Sequence, residues 1–549
     1  MLYNLLKVDI GKDSTDIKIN TPAQSYLKET LLKCTDLDSG SPELESFIRN
    51  RESAHHLSGM RANLLRAFRF RPEATVLEVG CECGAITRYL GEKCRSVTGI
   101  ESNPGNAYLA QLRTRDQDNV GIICTSLQDI HFKNKFDVIV ALGLFEDDSP
   151  TGASDREPED LIRQLADLLD NEGTLLLAAD NPSGLGRLSS AEKNSFQEIL
   201  EHSLEHTEPG RQDELSGMLE PHFDVIDLYF PYPEYRLAEC ILSDEMIRRV
   251  SVGELLGNFG LHDPDIDRNI SFNERLALLE LDRNNSLQYF ANSFLIAAGR
   301  EKHSVVRMDG LGMIFSKGRN RELQTVTRFV DAGGSGIKAV KIIAHHSLPA
   351  TGRQLRLVES ESDWVDGHSL QLRILRRAVQ PDSDVETIFA PAKVWLKYIR
   401  SHSVREEGRF LLDGSFIDHI WKNCFPDKQR CRFIDKEWEW DSRITVNALL
   451  IRSIFLFLKD AVDMPGIPRC LTGNSTRSII TRIAQALDVK LASEDFNEYL
   501  RLEAEFQSMV YGRSRLLNLL EHKLVLWNRS AYNLLGKLAG AWKRPRKNE

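Results

Sequence analysis

The stretch VLEVGCECGAITRYLGE (76–92) reads as a strand, a tight loop and a helix start, and its chemistry lies in Glu78, Gly80, Glu82 and Gly84. In that setting Gly80 and Gly84 let the backbone pass close to a ligand. They also let the helix N-terminus, with its unpaired N–H groups, face a carboxylate. The next apolar run, SVTGIE, ends in Glu101, 17 residues after Gly84. From that place a carboxylate accepts hydrogen bonds from ribose hydroxyls in nucleotide-binding sheets. Glu82 stands where a glycine is usual, so its side chain either crowds the ligand or points outward.

A second constellation lies in LLDGSFIDHIWKNCFPDKQRCRFIDKEWEW. There Asp418 and Asn423 are five apart, and Asp435 follows twelve later after an apolar FI. Phosphoryl transfer needs one Asp beside the accepting hydroxyl, then an Asn and a second Asp to hold magnesium. Upstream, AVK ends in Lys341, placed on a strand to contact ATP phosphates. Asp418 is thus the candidate base, Asn423 and Asp435 the candidate Mg ligands, and ATP with Mg the cofactors.

These residues need scaffolds. A chain of 549 residues is long enough for two or three domains, each with a real core. From residue 74 to about 179, short apolar runs alternate with helical segments, which predicts a parallel sheet with helices on both faces. The fold expected is α/β, a Rossmann-like sheet over 73–300 preceded by a helical lead-in, 1–72. An α+β domain over 305–490, strands first and helices later, and an amphipathic basic helical tail over 492–549 follow. A net charge of −10 argues against nucleic-acid binding, which needs a cationic surface. The nine cysteines form no CxxC pair, and no run of 18 apolar residues occurs. A reducing, cytoplasmic location fits best.

The strand–loop–helix and its acidic partner resemble class I S-adenosylmethionine (SAM) dependent methyltransferases, in which the helix N-terminus faces the methionine carboxylate. The resemblance narrows over about residues 50–300. HHLSGMRANLLRAF, then the loop, then FPYPEYRLAECILSDE, are similar to bacterial methyltransferases of O-antigen and other surface-polysaccharide synthesis. Their HLSxxRANLLR element is His56 to Arg66 here, and their P-x-P-[DE]-Y-[KR] element is Pro231 to Arg236. Asn181 falls where these relatives have an ENxxG turn, written here as DNPSG. By the class pattern, Ser126 and Leu127 border the adenine, while Leu142 and Gly143 floor the pocket. His56 and Arg61 read equally as a cofactor lid or as helix surface. WVDGHSL (364–370) resembles the hinge of aminoglycoside-phosphotransferase-like kinases, so the second domain looks like a divergent kinase. The whole resembles bifunctional methyltransferase–kinases that cap O-antigen chains by phosphorylating a terminal sugar and methylating the phosphate.

Methyl transfer from a sulfonium requires alignment of acceptor oxygen, methyl carbon and sulfur in a dry pocket. A sugar hydroxyl also needs a base, whereas a phosphate oxygen does not. Candidate bases are His56, Glu146 and Tyr235. Residues 513–549 carry nine Lys or Arg against two Glu, interleaved with leucines and with Trp527, Tyr532 and Trp542. Residues 500–530 read as a helix packed on the second domain, whereas 531–547 suit a peripheral contact with the inner membrane, and the tail also offers a surface for a glycosyltransferase partner. The acceptor expected is a polysaccharide or lipid-linked sugar. A small-molecule or lipid methyltransferase, and a non-catalytic adaptor with two degenerate nucleotide folds, stay open as alternatives.

Overall fold

Parallel strands covered on both faces should be apolar throughout. The runs singled out above form such strands: β1 (Thr75–Val79), β2 (Ser96–Glu101), β3 (Val120–Cys124), β4 (Phe136–Leu142) and β5 (Leu169–Asp180). The computed structural model describes residues 19, 21–145, 158–190, 212–259, 272–301, 305–334, 336–345, 354–380, 383–427, 430–461, 471 and 475–527. It divides into two units, Met1–Ile314 and Phe315–Glu549.

In the first unit the order β3-β2-β1-β4-β5 is parallel throughout. The sheet continues from β5 through antiparallel β8 (Ser293–Gly299), β6 (Val225–Tyr232) and β7 (Cys240–Ser243). Residues 312–314 of β9 (Gly312–Phe315) pair with β7. The unit therefore runs past the boundary expected near 300, because that short strand completes its sheet. The crossover helices are α3 (Ala85–Lys93), α4 (Pro104–Arg113) and α5 (Pro158–Leu168). β1 is central, and the crevice at the carboxyl ends of β1 and β4 is where open α/β sheets bind ligands.

The lead-in is helical, with α1 (Pro22–Lys33) started by Thr21, whose side chain accepts from Gln24 N–H, and by Pro22 at its first position. Leu27, Leu31, Leu37, Leu44 and Leu57 form one apolar cluster with Tyr108, Leu109 and Leu112 of α4. That cluster fixes α2 (Arg51–Leu57), itself opened by an Asn50–Ser53 capping box, against the nucleotide half of the sheet. His55 and His56 ride on this helix.

The second unit begins with an antiparallel arrangement of β10 (Thr325–Asp331), β11 (Ile337–Ile343) and β13 (Ser360–Asp363). β12 (Leu355–Leu357) pairs with β18 (Trp438–Trp440). β14 (Val404–Glu406), β15 (Arg409–Asp413) and β19 (Arg443–Thr445) make a small sheet, and β16 (Cys424–Asp427) with β17 (Arg430–Phe433) a hairpin. Its longer helices are α6 (Leu370–Ala378), α7 (Ala392–Ser401), α8 (Val446–Ala461), α9 (Thr476–Ala486), α10 (Ser493–Tyr511) and α11 (Arg515–Trp527). β10 to β13 precede α6, but β14 to β19 fall between α7 and α8, so strands and helices interleave where the sequence pattern implies strands first and helices later. Among the described residues no helix is long and apolar enough to cross a membrane. The tail beyond Trp527, with Tyr532 and Trp542, lies outside the described residues, as does Glu146.

Candidate active site

The turn after β1 is a chain of left-handed residues: Gly80 at φ 76°, Glu82 at 47° and Gly84 at 80°. Gly80 and Cys81 N–H both donate to Ile100 O, which ties the turn to β2 (2.9 and 3.0 Å). Glu82 N–H donates to Glu101 Oε2 at 2.9 Å, and Asn103 N–H to Oε1 at 2.8 Å. Glu101 is 1% exposed, and burial pushes its carboxyl up to about 7. The acidic residue expected to hold a ribose thus also clamps the loop. Gly84 is the N-cap of α3, which has no side-chain cap. A Cβ on Gly84 would meet Ala110 Cα at 2.8 Å, so its smallness serves the approach of α4 rather than of the ligand.

The Glu82 side chain is held by the lead-in. Its Oε2 lies 2.6 Å from His55 Nε2 and 3.6 Å from Arg61 Nη2. Burial alone would raise its carboxyl, but His55 and Arg61 outweigh it and hold it below the usual range. His55, His56 and Glu82 bring potential metal-ligand atoms within 4.8 Å of one another. The adjoining guanidinium already supplies the positive charge there.

Arg61, Glu78, Gly80, Glu82 and Leu142, with Val79, Cys81, Ala85 and Ile86, line one cleft. Two of these carry buried polar atoms without a hydrogen-bond partner: Arg61 Nε and Nη1, and Glu78 Oε2. Burial lifts the Glu78 carboxyl to about 8. Buried polar groups nearly always find a partner, and a bound water, ion or ligand can supply it. Two guanidinium N–H groups suit a carboxylate, and the Glu78 oxygen suits an ammonium. The residues present therefore fit the amino-acid end of SAM, with Arg61 and the uncapped start of α3 facing its carboxylate.

The two segments that carry the resemblance meet here. Asn63 Nδ2 donates to Ala238 O at 2.9 Å, and the Tyr235 ring lies 5.8 Å from Arg61 and 4.4 Å from Arg236. Arg236 also pairs with Asp180 at 2.9 Å. His56 is the candidate base on α2. Burial first, then neighbouring cations, push its imidazole down to about 3, so it has little capacity to take a proton at neutral pH. Ser126 and Leu127 are not among the cleft's lining residues; Ser126 Oγ donates to Asp129, and Leu127 is buried. His55 was not singled out from sequence, although its place beside His56 in the shared element was the available signal.

In the second unit the structure joins Lys341 to Asp435, and Asn423 to Asp418. Lys341 Nζ contacts Asp435 Oδ1 and lies 2.8 Å from Glu437 Oε2. Asn423 Nδ2 donates to Asp418 O at 3.0 Å. The Asp418 carboxylate accepts from Trp438 Nε1 (2.8 Å) and Arg452 Nη1 (3.1 Å), and burial raises its carboxyl above the usual range. Glu437, Arg319 and Arg452 escaped the sequence reading.

Sheet order, loop and cleft define a class I SAM-dependent methyltransferase domain, and hence an enzyme, which removes the non-catalytic reading for this unit. Residues 77–177 match the family model described as a methyltransferase domain. The fold is similar to N-methyltransferase NodS from Bradyrhizobium japonicum WM9, at 21% identity and TM-score 0.20, covering 26% of this chain and 79% of that one. It is also similar to phosphoethanolamine N-methyltransferase 2 of Haemonchus contortus in complex with phosphomonomethylethanolamine and S-adenosylhomocysteine. That likeness is 14% identical with TM-score 0.29, covering 51% of this chain and 61% of that one. For the Haemonchus enzyme 1 the values are 16%, 0.22, 30% and 34%, so the chain spans less than two thirds of either Haemonchus enzyme. No curated protein matches the chain.

Proposed function

We propose that the chain methylates a bacterial surface polysaccharide of the O-antigen type, or its lipid-linked precursor, at a terminal phosphate, and that its second unit is a kinase-like domain supplying that phosphate. The observation that carries the methyltransferase half is the pair of orphaned groups, Arg61 Nε/Nη1 and Glu78 Oε2, in one cleft. SAM supplies the methyl group, and this chain's residues bind and orient it. The choice of a phosphate acceptor rests on chemistry. His56 is a weak base, while Arg236 and Arg61 flank Tyr235 with positive charge. An anionic phosphate oxygen needs no base and is drawn to cations. The kinase half rests on the Lys341–Asp435 and Asn423–Asp418 contacts, with ATP and Mg as its cofactors. The leucines 516, 517, 520 and 524 exposed on α11 support docking of the tail region to a glycosyltransferase or membrane surface.

Calorimetry with SAM tests the cleft. Arg61→Met should weaken binding by about 1.5–3 kcal/mol, the range for hydrogen bonds to a charged group. A wild-type chain that takes up no SAM would sink the assignment. Methyl transfer should proceed to a phosphate-terminated glycan and not to its hydroxyl-terminated counterpart; the reverse preference removes the phosphate acceptor.

A further inference from the structure

Outside the cleft, Glu437 is a fully buried carboxylate that bridges two cations. Its Oε1 accepts from Arg319 Nη2 at 2.5 Å and its Oε2 from Lys341 Nζ at 2.8 Å. Burying a charge is costly unless its partners are well placed, and truncating one partner leaves the others stranded. The surroundings hold each member. Glu437 O accepts from Val358 N–H at 2.8 Å, just before β18 pairs with β12. Lys341 lies on β11, opposite Thr327 of β10 and Ser360 of β13. The Arg319 guanidinium sits 5.0 Å over the Trp438 ring.

Lys341 therefore has two anionic neighbours of different character. Asp435 has left-handed backbone, φ 62°, and a side chain 39% exposed. Glu437 is inaccessible and doubly paired. Kinase-like sites hold the strand lysine with a glutamate from a helix. Between Lys341 and α6, the described elements are the strands β12 and β13. We propose that Glu437 is the positioning residue that aims Lys341 at a nucleotide's phosphates, in the place of a helix-borne glutamate, a role that rests on the kinase-like reading above. When a phosphate takes the ammonium, Asp435 is the partner that yields and Glu437 the one that stays.

The full-length chain is tested by equilibrium binding of MgATP and, separately, of adenosine, which lacks phosphates. Glu437→Gln keeps the shape and removes the charge. It should weaken MgATP about tenfold or more, as loss of a charge-assisted contact does, and leave adenosine affinity unchanged. Glu437→Asp, which keeps the charge, should recover part of the loss and guards against a Gln variant that fails to fold. Equal weakening of both ligands, or of neither, overturns the positioning role while leaving the nucleotide site standing. A wild-type chain that binds neither ligand overturns the kinase-like reading and the proposal with it.

Discussion

Glu82 stands at φ 47°, a backbone region that an L side chain occupies at a cost of about 1–2 kcal/mol. Its carboxylate reaches the same Arg61 whose remaining N–H groups face the cleft. Glu82 and a ligand carboxylate therefore draw on one guanidinium. Glu82→Gly should relieve the strain and free Arg61, tightening SAM roughly 3- to 10-fold in calorimetry, about the worth of one modest ion-pair contact; weaker binding would show that Glu82 helps hold the cofactor. Glu78 and Glu101 offer a pH test. Both folded carboxyls lie above their ordinary value of 4.5, at about 8 and about 7. Between 4.5 and those values the folded chain holds more protons than the unfolded one, so stability is fully present at the acid end and is lost as pH rises through 7 and 8. Urea midpoints should fall across that window, and Glu78→Gln should flatten the upper part; an unchanged slope would place the loss elsewhere. The spacing of Glu78, Gly80 and Glu101 was legible because a strand, a turn and a second strand fix it locally. The pairing of Glu82 with His55 was not, since it joins residues 27 apart through packing that no local pattern records.

At the level of elements, β1, β2, β4 and β5 were readable as apolar runs because both their faces are covered. β9 was readable as a strand in GMIFSKG, but its place was not: it pairs with β7, some 70 residues earlier, and no local pattern records that. The three-residue strands β14, β18 and β19 escaped, because their stability comes from distant partners rather than from local propensity. The lead-in was readable as helical, but its docking on α4 was a matter of which leucines met. The loop, too, is set by the packing of elements. Gly84 couples a left-handed N-cap to the close approach of α3 and α4. Gly84→Ala adds backbone strain to a Cβ 2.8 Å from Ala110 Cα. The two effects together should cost roughly 3 kcal/mol in denaturant unfolding. A loss below about 0.5 kcal/mol, the size of an ordinary surface change, would mean that the helices part without penalty.

For the whole molecule, the decisive property is that the two candidate ligand sites fall in different compact units: the SAM cleft before Ile314, the Lys341 cluster after it. A ligand stabilises the cooperative unit that binds it, by about 2.7 kcal/mol when present at a hundred times its dissociation constant. Each unit has its own core. Leu77, Val140 and Leu176 are fully buried in the first, and Trp395, Trp421 and Ile451 in the second. Calorimetric unfolding of the full chain should therefore resolve two transitions. S-adenosylhomocysteine should raise one midpoint and MgATP the other, with both together giving the sum, because sites without shared partners act additively. A single transition that both ligands move would instead make the units one cooperative body, and each nucleotide's affinity would then have to depend on the other's presence, a coupling that binding measurements with paired ligands would read directly.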